Sequence, residues 1–172
     1  MTEFPEPRGG TADSGELFSR YLTFFRETVL RKVASLSEAD LRVSRLPSGW
    51  TPLELLVHLT YMERRWFVWG FLGEHVEDPW GDAVGDGADE RWHAPAGPSV
   101  VEAGERLREV GERTTDVLAQ HALDEVAPPG PRFESGDPAS LAWICFHVLQ
   151  EYARHAGHLD VAVARAGGDL GE

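Results

Sequence analysis

Four ionisable side chains in the segment HVLQEYARHAGHLD have the spacing of a helical metal site. His147, Glu151, His155 and His158 are four, four and three residues apart, so on an α-helix they project within roughly an 80° arc. Side chains one turn apart can reach a common ion, which is why this spacing recurs in helical metal sites. The alternative interpretation is a solvated, charged helix face with a Glu–His pair.

The apolar side of this predicted helix narrows the choice among the four residues. Its buried stripe is centred on four positions: Ile144, Val148, Tyr152 and Leu159. His155 lies at the border of the stripe with Glu151 next to it, and the other two histidines point further toward solvent. The inner pair is therefore Glu151 and His155. Whether His147 or His158 replaces one of them stays open.

His58 is a polar residue within the apolar stripe of a second predicted helix. It shares a face with four apolar residues: Leu55, Leu59, Met62 and Trp66. Taken alone, it is better explained as a core histidine bonded to a backbone carbonyl, because a buried imidazole without a partner costs about 1–3 kcal/mol. Combined with Glu151 and His155, it completes three ligands for one divalent metal ion. Two imidazoles and a carboxylate suit Zn²⁺ or another first-row ion and leave a position for water or substrate.

The remaining ionisable candidates have simpler explanations. We expect His75, His93 and His121 to be solvated or locally hydrogen-bonded. Cys145 is the only cysteine, which rules out an internal disulfide, and its apolar neighbours indicate a buried, inert thiol.

Four helices are predicted to position the candidate ligands. Ser14 precedes the first helix, which runs to about Ser35. The second runs from its cap Thr51 to about Leu72, the third from Ser99 to near His121, and the fourth from Asp137 to Gly167–Gly168. The second has the clearest start, since Thr51, Pro52 and Glu54 form a capping box with proline at the first helical position. A long acidic loop, 73–98, precedes the third helix, in which Gly104 and Gly111 permit close helix approach.

This pattern predicts an all-α fold, a four-helix bundle with a single core. Residues 1–13 contain two prolines and two adjacent glycines and are predicted to be a disordered tail. The bundle domain is then expected to cover residues 14–168. A length of 172 residues suits one such domain.

Charge and hydropathy exclude several classes of function. With 16 basic against 29 acidic residues, the net charge is −13, which opposes binding to nucleic acid or to an anionic membrane surface. The N-terminus lacks the basic-then-apolar order of a signal peptide, and no apolar run approaches the ~20 residues of a membrane span. We therefore expect a soluble, cytoplasmic protein.

Two segments resemble the two signature regions of the DinB superfamily: GWTPLELLVHL, whose motif ends with His58, and HVLQEYARHAGHLD. The resemblance extends in order and spacing over about residues 14–168. It implies a four-helix bundle of the DinB-like type that holds a divalent metal, often zinc or nickel, near one end. One ligand set in the superfamily is His, Glu, His, as in the metal-binding domain of mycothiol-dependent maleylpyruvate isomerase. That set maps onto His58, Glu151 and His155.

The resemblance also implies a reaction. Related proteins are transferases that use mycothiol, bacillithiol or glutathione, and the high Ala, Gly and Arg usage indicates a GC-rich genome, which favours mycothiol. The leading hypothesis is a metal-dependent thiol transferase whose partners are a small-molecule thiol, with mycothiol as cosubstrate, and an electrophile. Bundle faces often pair in this superfamily, which allows for a homodimer.

Two alternatives stay open beside the transferase. Metal-bound water would perform hydrolysis in the first, and in the second a non-catalytic bundle would bind a ligand or partner with the metal lending only stability.

Four side chains lie near the candidate ligands in sequence and could orient anionic groups: Tyr61, Arg64, Tyr152 and Arg154. Surface salt bridges are the better explanation for the two arginines. The 73–98 loop is either an ordinary surface insertion or a lid, with Trp80 or Trp92 covering the substrate.

Overall fold

The computed structural model describes residues 6–7, 9–11, 13–82, 98–130, 132–133 and 137–169. Its helical elements are α1 (Ser14–Ala34), α2 (Glu38–Leu41), α3 (Pro52–Arg64), a π-helical segment (Arg65–Phe71), α4 (Val100–Gln120) and α5 (Leu141–Ala166). The four long helices α1, α3, α4 and α5 form a bundle. In it α1 and α3 each pack against both α4 and α5. The predicted all-α fold is confirmed.

The helix starts follow the local capping chemistry. The Thr51 hydroxyl accepts from the backbone N–H of Glu54, and the Glu54 carboxylate accepts from that of Thr51. Ser99 and Glu102 form the same reciprocal pair before α4. These bonds satisfy N–H groups that have no partner inside a helix, and the predicted capping box of Thr51 and Glu54 is confirmed.

Two helix starts differ from the sequence prediction, and one short helix is additional to it. Asp13, rather than Ser14, caps α1. The 36–50 connection contains α2, capped by Ser37. The last helix begins at Leu141 with Ser140 as its cap, not at Asp137. The reason is that the chain before it pairs with the preceding loop: the Ala127 N–H donates to the Ala139 carbonyl at 3.0 Å.

The core is closed by aliphatic side chains from all four long helices, among them Leu22, Leu56, Leu107, Ile144 and Val148. An ionic cluster lies inside this core. The Arg26 guanidinium on α1 donates to both carboxylate oxygens of Glu63 on α3, at 3.2 and 3.1 Å. The hydroxyl of Tyr152 on α5 donates to the same carboxylate at 2.5 Å. This cluster ties three helices together and fixes α3 and α5, the two helices that carry the candidate ligands.

Close packing of α1 and α4 depends on two glycines, as the sequence predicted. A Cβ atom at Gly104 would lie 3.0 Å from a methyl carbon of Leu30, and one at Gly111 would lie 2.7 Å from Nε of Arg26.

The division into a tail of 1–13 and a domain of 14–168 stays a prediction. Residues 1–5, 8 and 12 lie outside the described residues.

Candidate metal centre

Helices α3 and α5 bring three side chains to one point. His58 lies on α3, and Glu151 and His155 lie one turn apart on α5. Each offers one ligand atom, and these atoms lie within 4.8 Å of one another. The three residues predicted from the sequence therefore could hold a metal ion.

A buried carboxylate, that of Asp82, contacts the His58 ring. Its Nδ1 atom lies 2.5 Å from Oδ2 of Asp82, and Arg65 binds the same carboxylate. Asp82 is only 2% exposed. Burial acts to raise the pKa of Asp82, but hydrogen bonds from His58 and Arg65 outweigh it and hold that pKa below its usual value. A charged Asp82 favours the His58 tautomer with the proton on Nδ1, which presents Nε2 to a metal.

Burial also acts on the imidazole itself. It lowers the pKa of His58 below its usual range, and the contact with Asp82 offsets only part of that effect. His58 is consequently neutral at pH 7. A neutral imidazole is the form that coordinates a metal.

On α5 the two candidate ligands are already in contact. Nε2 of His155 lies 3.0 Å from Oε2 of Glu151, and this hydrogen bond holds the pKa of Glu151 below its usual value. Nδ1 of His155 lies 3.3 Å from Nδ1 of His158. His158 thus touches the ring nitrogen of His155 that faces away from Glu151. His147 is 3.8 Å from Glu151 and stacks on Trp143.

A cavity of about 280 Å³ opens onto the cluster. Besides the three candidate ligands, its walls carry aromatic and cationic side chains: Trp50, Trp66, Trp80, Arg65, Arg132 and Arg154. A volume near the lower end of small-molecule sites suits a compact reactant. The arrangement therefore combines a possible ion with space for a molecule beside it.

The π-helical segment supplies part of that wall. The Leu72 N–H donates to the Phe67 carbonyl five residues earlier, at 3.0 Å. A wider turn of this kind rotates the residues after Arg64 relative to an α-helix, and such turns often occur at functional sites. Arg65 and Trp66, at its start, both face the cavity.

The first part of the 73–98 loop is fixed to α3. Arg64 donates to the carbonyls of Glu77 and Asp78, both at 2.8 Å. The Tyr61 ring packs against Gly81, where a Cβ atom would come within 2.5 Å of it. These contacts deliver Asp82 to His58. Residues 83–97 lie outside the described residues.

Several secondary predictions can be compared with their positions. Tyr152 is fully buried and donates to Glu63, so it belongs to the core and not to the cavity. Trp80 and Arg154 line the cavity. Trp92 and His93 lie outside the described residues.

The inert character predicted for Cys145 and the local bonding predicted for His121 agree with their surroundings. Burial raises the pKa of Cys145 to about 12. Nδ1 of His121 lies 3.0 Å from the carboxylate of Glu125. Neither residue lines the cavity.

Sequence reasoning missed four residues that surround the cluster: Trp50, Arg65, Asp82 and Arg132. Asp82 lies 24 residues from His58 along the chain, in an acidic loop that contains many similar residues. Trp50 directly precedes the Thr51 cap, and its ring centroid lies 6.0 Å from that of His155. A signal for Trp50 was present in the signature segment, whereas spacing alone could not single out Asp82 or Arg132.

Fold and site together define a class: a DinB-like helical bundle with a candidate centre of two histidines and one glutamate at an open cavity. The chain belongs to the mycothiol-S-transferase family, whose model matches residues 17–166. This family is part of the DinB-like superfamily, so the predicted resemblance is confirmed. Membership indicates transferase activity that involves mycothiol as the thiol substrate.

No curated protein and no solved structure matches the chain. Among the described residues, no helix combines the length and apolarity needed to cross a bilayer.

Proposed function

We propose that this protein joins mycothiol, through its sulfur, to a small electrophile at a centre where His58, Glu151 and His155 hold one divalent metal ion. Zinc is the first choice for that ion, because two imidazoles and a carboxylate are a common zinc ligand set. Nickel or another first-row ion is the alternative. The observation that carries the proposal is the convergence of three ligand atoms within 4.8 Å at an open cavity.

The donor set fits a catalytic rather than a structural ion. Three protein ligands beside a cavity leave a coordination position open, whereas a structural zinc site is closed by four. A divalent ion bound there would lower the pKa of a coordinating thiol, so that the thiol reacts as its thiolate at neutral pH.

The protein's own residues prepare the site for this reaction. Asp82 fixes the His58 tautomer, and burial keeps that imidazole neutral. The rings of Trp50, Trp66 and Trp80 line the cavity beside the candidate ligands. In the transfer, the thiolate sulfur forms a bond to the electrophilic carbon, the leaving group departs with its electron pair, and the thiol proton passes to solvent.

His147 and His158 are proposed as neighbours of the ligands. His158 touches the nitrogen of His155 that faces away from Glu151, and His147 is stacked on Trp143. We expect His147→Ala and His158→Ala to retain the ion, with weaker binding in His158→Ala because His155 loses its partner. Complete loss of metal from either variant would identify it as a ligand instead.

The experiment is a turnover assay on purified protein with mycothiol and a haloalkyl electrophile, in three states: as isolated, after chelation, and after readdition of Zn²⁺ or Ni²⁺. We expect activity that disappears on chelation, returns with metal, and is absent in Glu151→Gln. The matched control is Glu77→Gln, which changes an exposed acidic residue of the loop.

Other outcomes of the same assay decide between the alternatives. Ester or amide cleavage without thiol, abolished by the same Glu151→Gln change, would replace the transferase with a hydrolase. Turnover that survives chelation would remove the metal from the mechanism. Absence of any turnover, together with a lower melting temperature after chelation, would support a bundle that the metal only stabilises.

Homodimer formation, a cytoplasmic location, and the absence of nucleic-acid and membrane partners are part of the same proposal. Sedimentation analysis tests the first of these directly. Retention of the protein on an anionic vesicle or on duplex DNA at physiological salt would contradict the expectation drawn from its net charge of −13.

A further inference from the structure

Three arginines line the cavity beside the candidate ligands: Arg65, Arg132 and Arg154. Arg65 is paired with the carboxylate of Asp82. Within the part of the chain that the structure describes, neither Arg132 nor Arg154 forms an ion pair with a carboxylate. Two cationic groups of the cavity are thus without a described counterion, in a protein whose net charge is −13.

Arg132 is held by aromatic rings. Its guanidinium carbon lies 4.2 Å from the ring centroid of Trp66, 5.2 Å from that of Trp80 and 5.7 Å from that of Trp69. Cation–π contacts orient a guanidinium without neutralising it. The planar group therefore keeps its full charge and its N–H donors for a ligand of the cavity.

The electrostatic environment of Arg132 favours an incoming anion. Burial lowers the pKa of Arg132 below its ordinary value, and the positive charge of Arg65 lowers it further. Both effects disfavour a guanidinium standing alone. An anion bound beside it would relieve both, because it replaces lost solvation and opposes the neighbouring charge.

The charges of the described cavity residues also favour an anionic ligand. Glu151 would offset half the charge of a bound divalent ion, and one thiolate would offset the other half. The pair formed by Arg65 and Asp82 is neutral. Among the described residues of the cavity, Arg132 and Arg154 then remain as excess positive charge.

We infer that the electrophile taken by this site carries a carboxylate, which binds Arg132 with support from Arg154. This inference rests on the proposed transferase function and specifies its substrate class. With a haloacetate as the simplest such electrophile, the thiolate sulfur bonds to the methylene carbon, the carbon–halogen bond breaks, and halide leaves with the electron pair. The thiol proton goes to the buffer, and the carboxylate stays unchanged as the binding group.

A matched pair of electrophiles tests the inference. Iodoacetate and iodoacetamide share the reacting carbon and the leaving group and differ only in the carboxylate. With mycothiol constant, kcat/KM is measured for each and divided by its uncatalysed rate constant. We expect the wild-type protein to favour iodoacetate by about 10- to 100-fold, the range expected for hydrogen bonds to a charged group.

Variants assign the preference to named residues. Arg132→Gln should lose most of the preference for iodoacetate, measured as the ratio of the two kcat/KM values within the same variant, and Arg154→Gln should lose a smaller part. Arg20→Gln is the matched control, because Arg20 lies on the surface of α1 and pairs with Glu16. If Arg132→Gln does not fold, Arg154→Gln and the salt dependence of the wild-type preference decide, since screening weakens an ionic contact.

A binding measurement separates the failure of this inference from the failure of the transferase. Titration with unreactive succinate and with succinamide is followed by tryptophan fluorescence, because three tryptophans surround Arg132. Succinate should bind the wild-type protein at least about tenfold more tightly than it binds Arg132→Gln, and succinamide should not distinguish them.

Each combination of results decides something. Turnover without a preference for iodoacetate, with equal succinate binding in both proteins, overturns the anionic substrate and leaves the transferase. No turnover with either electrophile, but succinate binding that depends on Arg132, overturns the transferase and leaves an anion site. Absence of turnover with either electrophile, together with succinate binding that does not depend on Arg132, overturns both the transferase and the anionic substrate.

Discussion

The Nδ1 atom of His58 lies 2.5 Å from the Oδ2 atom of Asp82, which reaches it from the loop that follows the π-helical segment. Arg65 holds the other side of the same carboxylate. A carboxylate behind a histidine fixes the ring orientation and increases its basicity toward a metal. This relationship gives the acidic loop a defined role at the candidate centre.

Asp82→Asn tests that role with little change in shape. The neutral amide still fits beside His58 but no longer polarises its ring, so we expect the affinity for Zn²⁺ to fall about 10- to 100-fold. Competition titration against a chelator measures the affinity. The control is Glu77→Gln in the same loop, which should bind as the wild type does. Equal affinities in all three proteins would remove Asp82 from the account.

The buried ionic cluster predicts a large effect on stability. Arg26→Met leaves the Glu63 carboxylate in the core without its cation, which should cost about 3–5 kcal/mol of unfolding free energy. Tyr152→Phe removes one hydrogen bond to the same carboxylate and should cost about 1–3 kcal/mol. Urea unfolding at constant metal concentration measures both.

The control for this cluster lies on the same helix. Arg20→Met breaks an exposed pair with Glu16 and should cost about 0–1 kcal/mol. If Arg26→Met cost no more than Arg20→Met, the ionic cluster would not be what joins α1 to α3.

Two glycines predict effects of opposite sign. Alanine at Gly111 would place its Cβ atom 2.7 Å from the buried Arg26 side chain, so Gly111→Ala should destabilise by about 1–3 kcal/mol. Gly157 lies on the exposed side of α5 with nothing within 4 Å of a Cβ atom. Gly157→Ala should stabilise by about 0.5–1 kcal/mol, because glycine loses more backbone entropy in a helix. Thermal unfolding shows the two signs, and equal shifts would refute the close packing of α1 and α4.

Cys145 predicts resistance to alkylation. With its pKa raised to about 12, the thiolate fraction at pH 8 is about 1,000-fold smaller than for a thiol of ordinary pKa. Because a higher pKa lowers the thiolate fraction, reactivity should stay low until the pH approaches 12. Mass spectrometry after treatment with iodoacetamide should show unmodified native protein and complete modification in urea. Rapid modification of the native protein would contradict the buried position of this thiol.

Much of the fold was predictable because its signals are local. The capping box of Thr51 and Glu54 and the apolar stripes of the long helices involve residues within one or two turns. The stop at Gly167 follows from its left-handed backbone, with φ of 75°. The predicted start of the last helix was wrong because Pro138 gives a local helix signal that the non-local pairing of residues 127 and 139 overrides.

The candidate ligands were predictable for a related reason. Glu151 and His155 are one turn apart on one helix, and His58 interrupts an apolar stripe. The rest of the cavity could not be predicted from the sequence, since Asp82 and Arg132 reach it from irregular segments whose positions depend on tertiary contacts. The π-helical segment was missed as well, because apolar periodicity does not distinguish five-residue from four-residue hydrogen bonds over a single turn.

Metal content is the most direct measure of the central claim. Elemental analysis is performed on the wild-type protein, His58→Ala, His155→Ala and, as control, His75→Ala, which changes an exposed histidine of the loop. We predict about one divalent ion per chain in the wild type and in His75→Ala, and loss of the ion in the other two, because two remaining ligands hold a metal weakly. Unchanged metal content in both His58→Ala and His155→Ala would contradict the proposed centre.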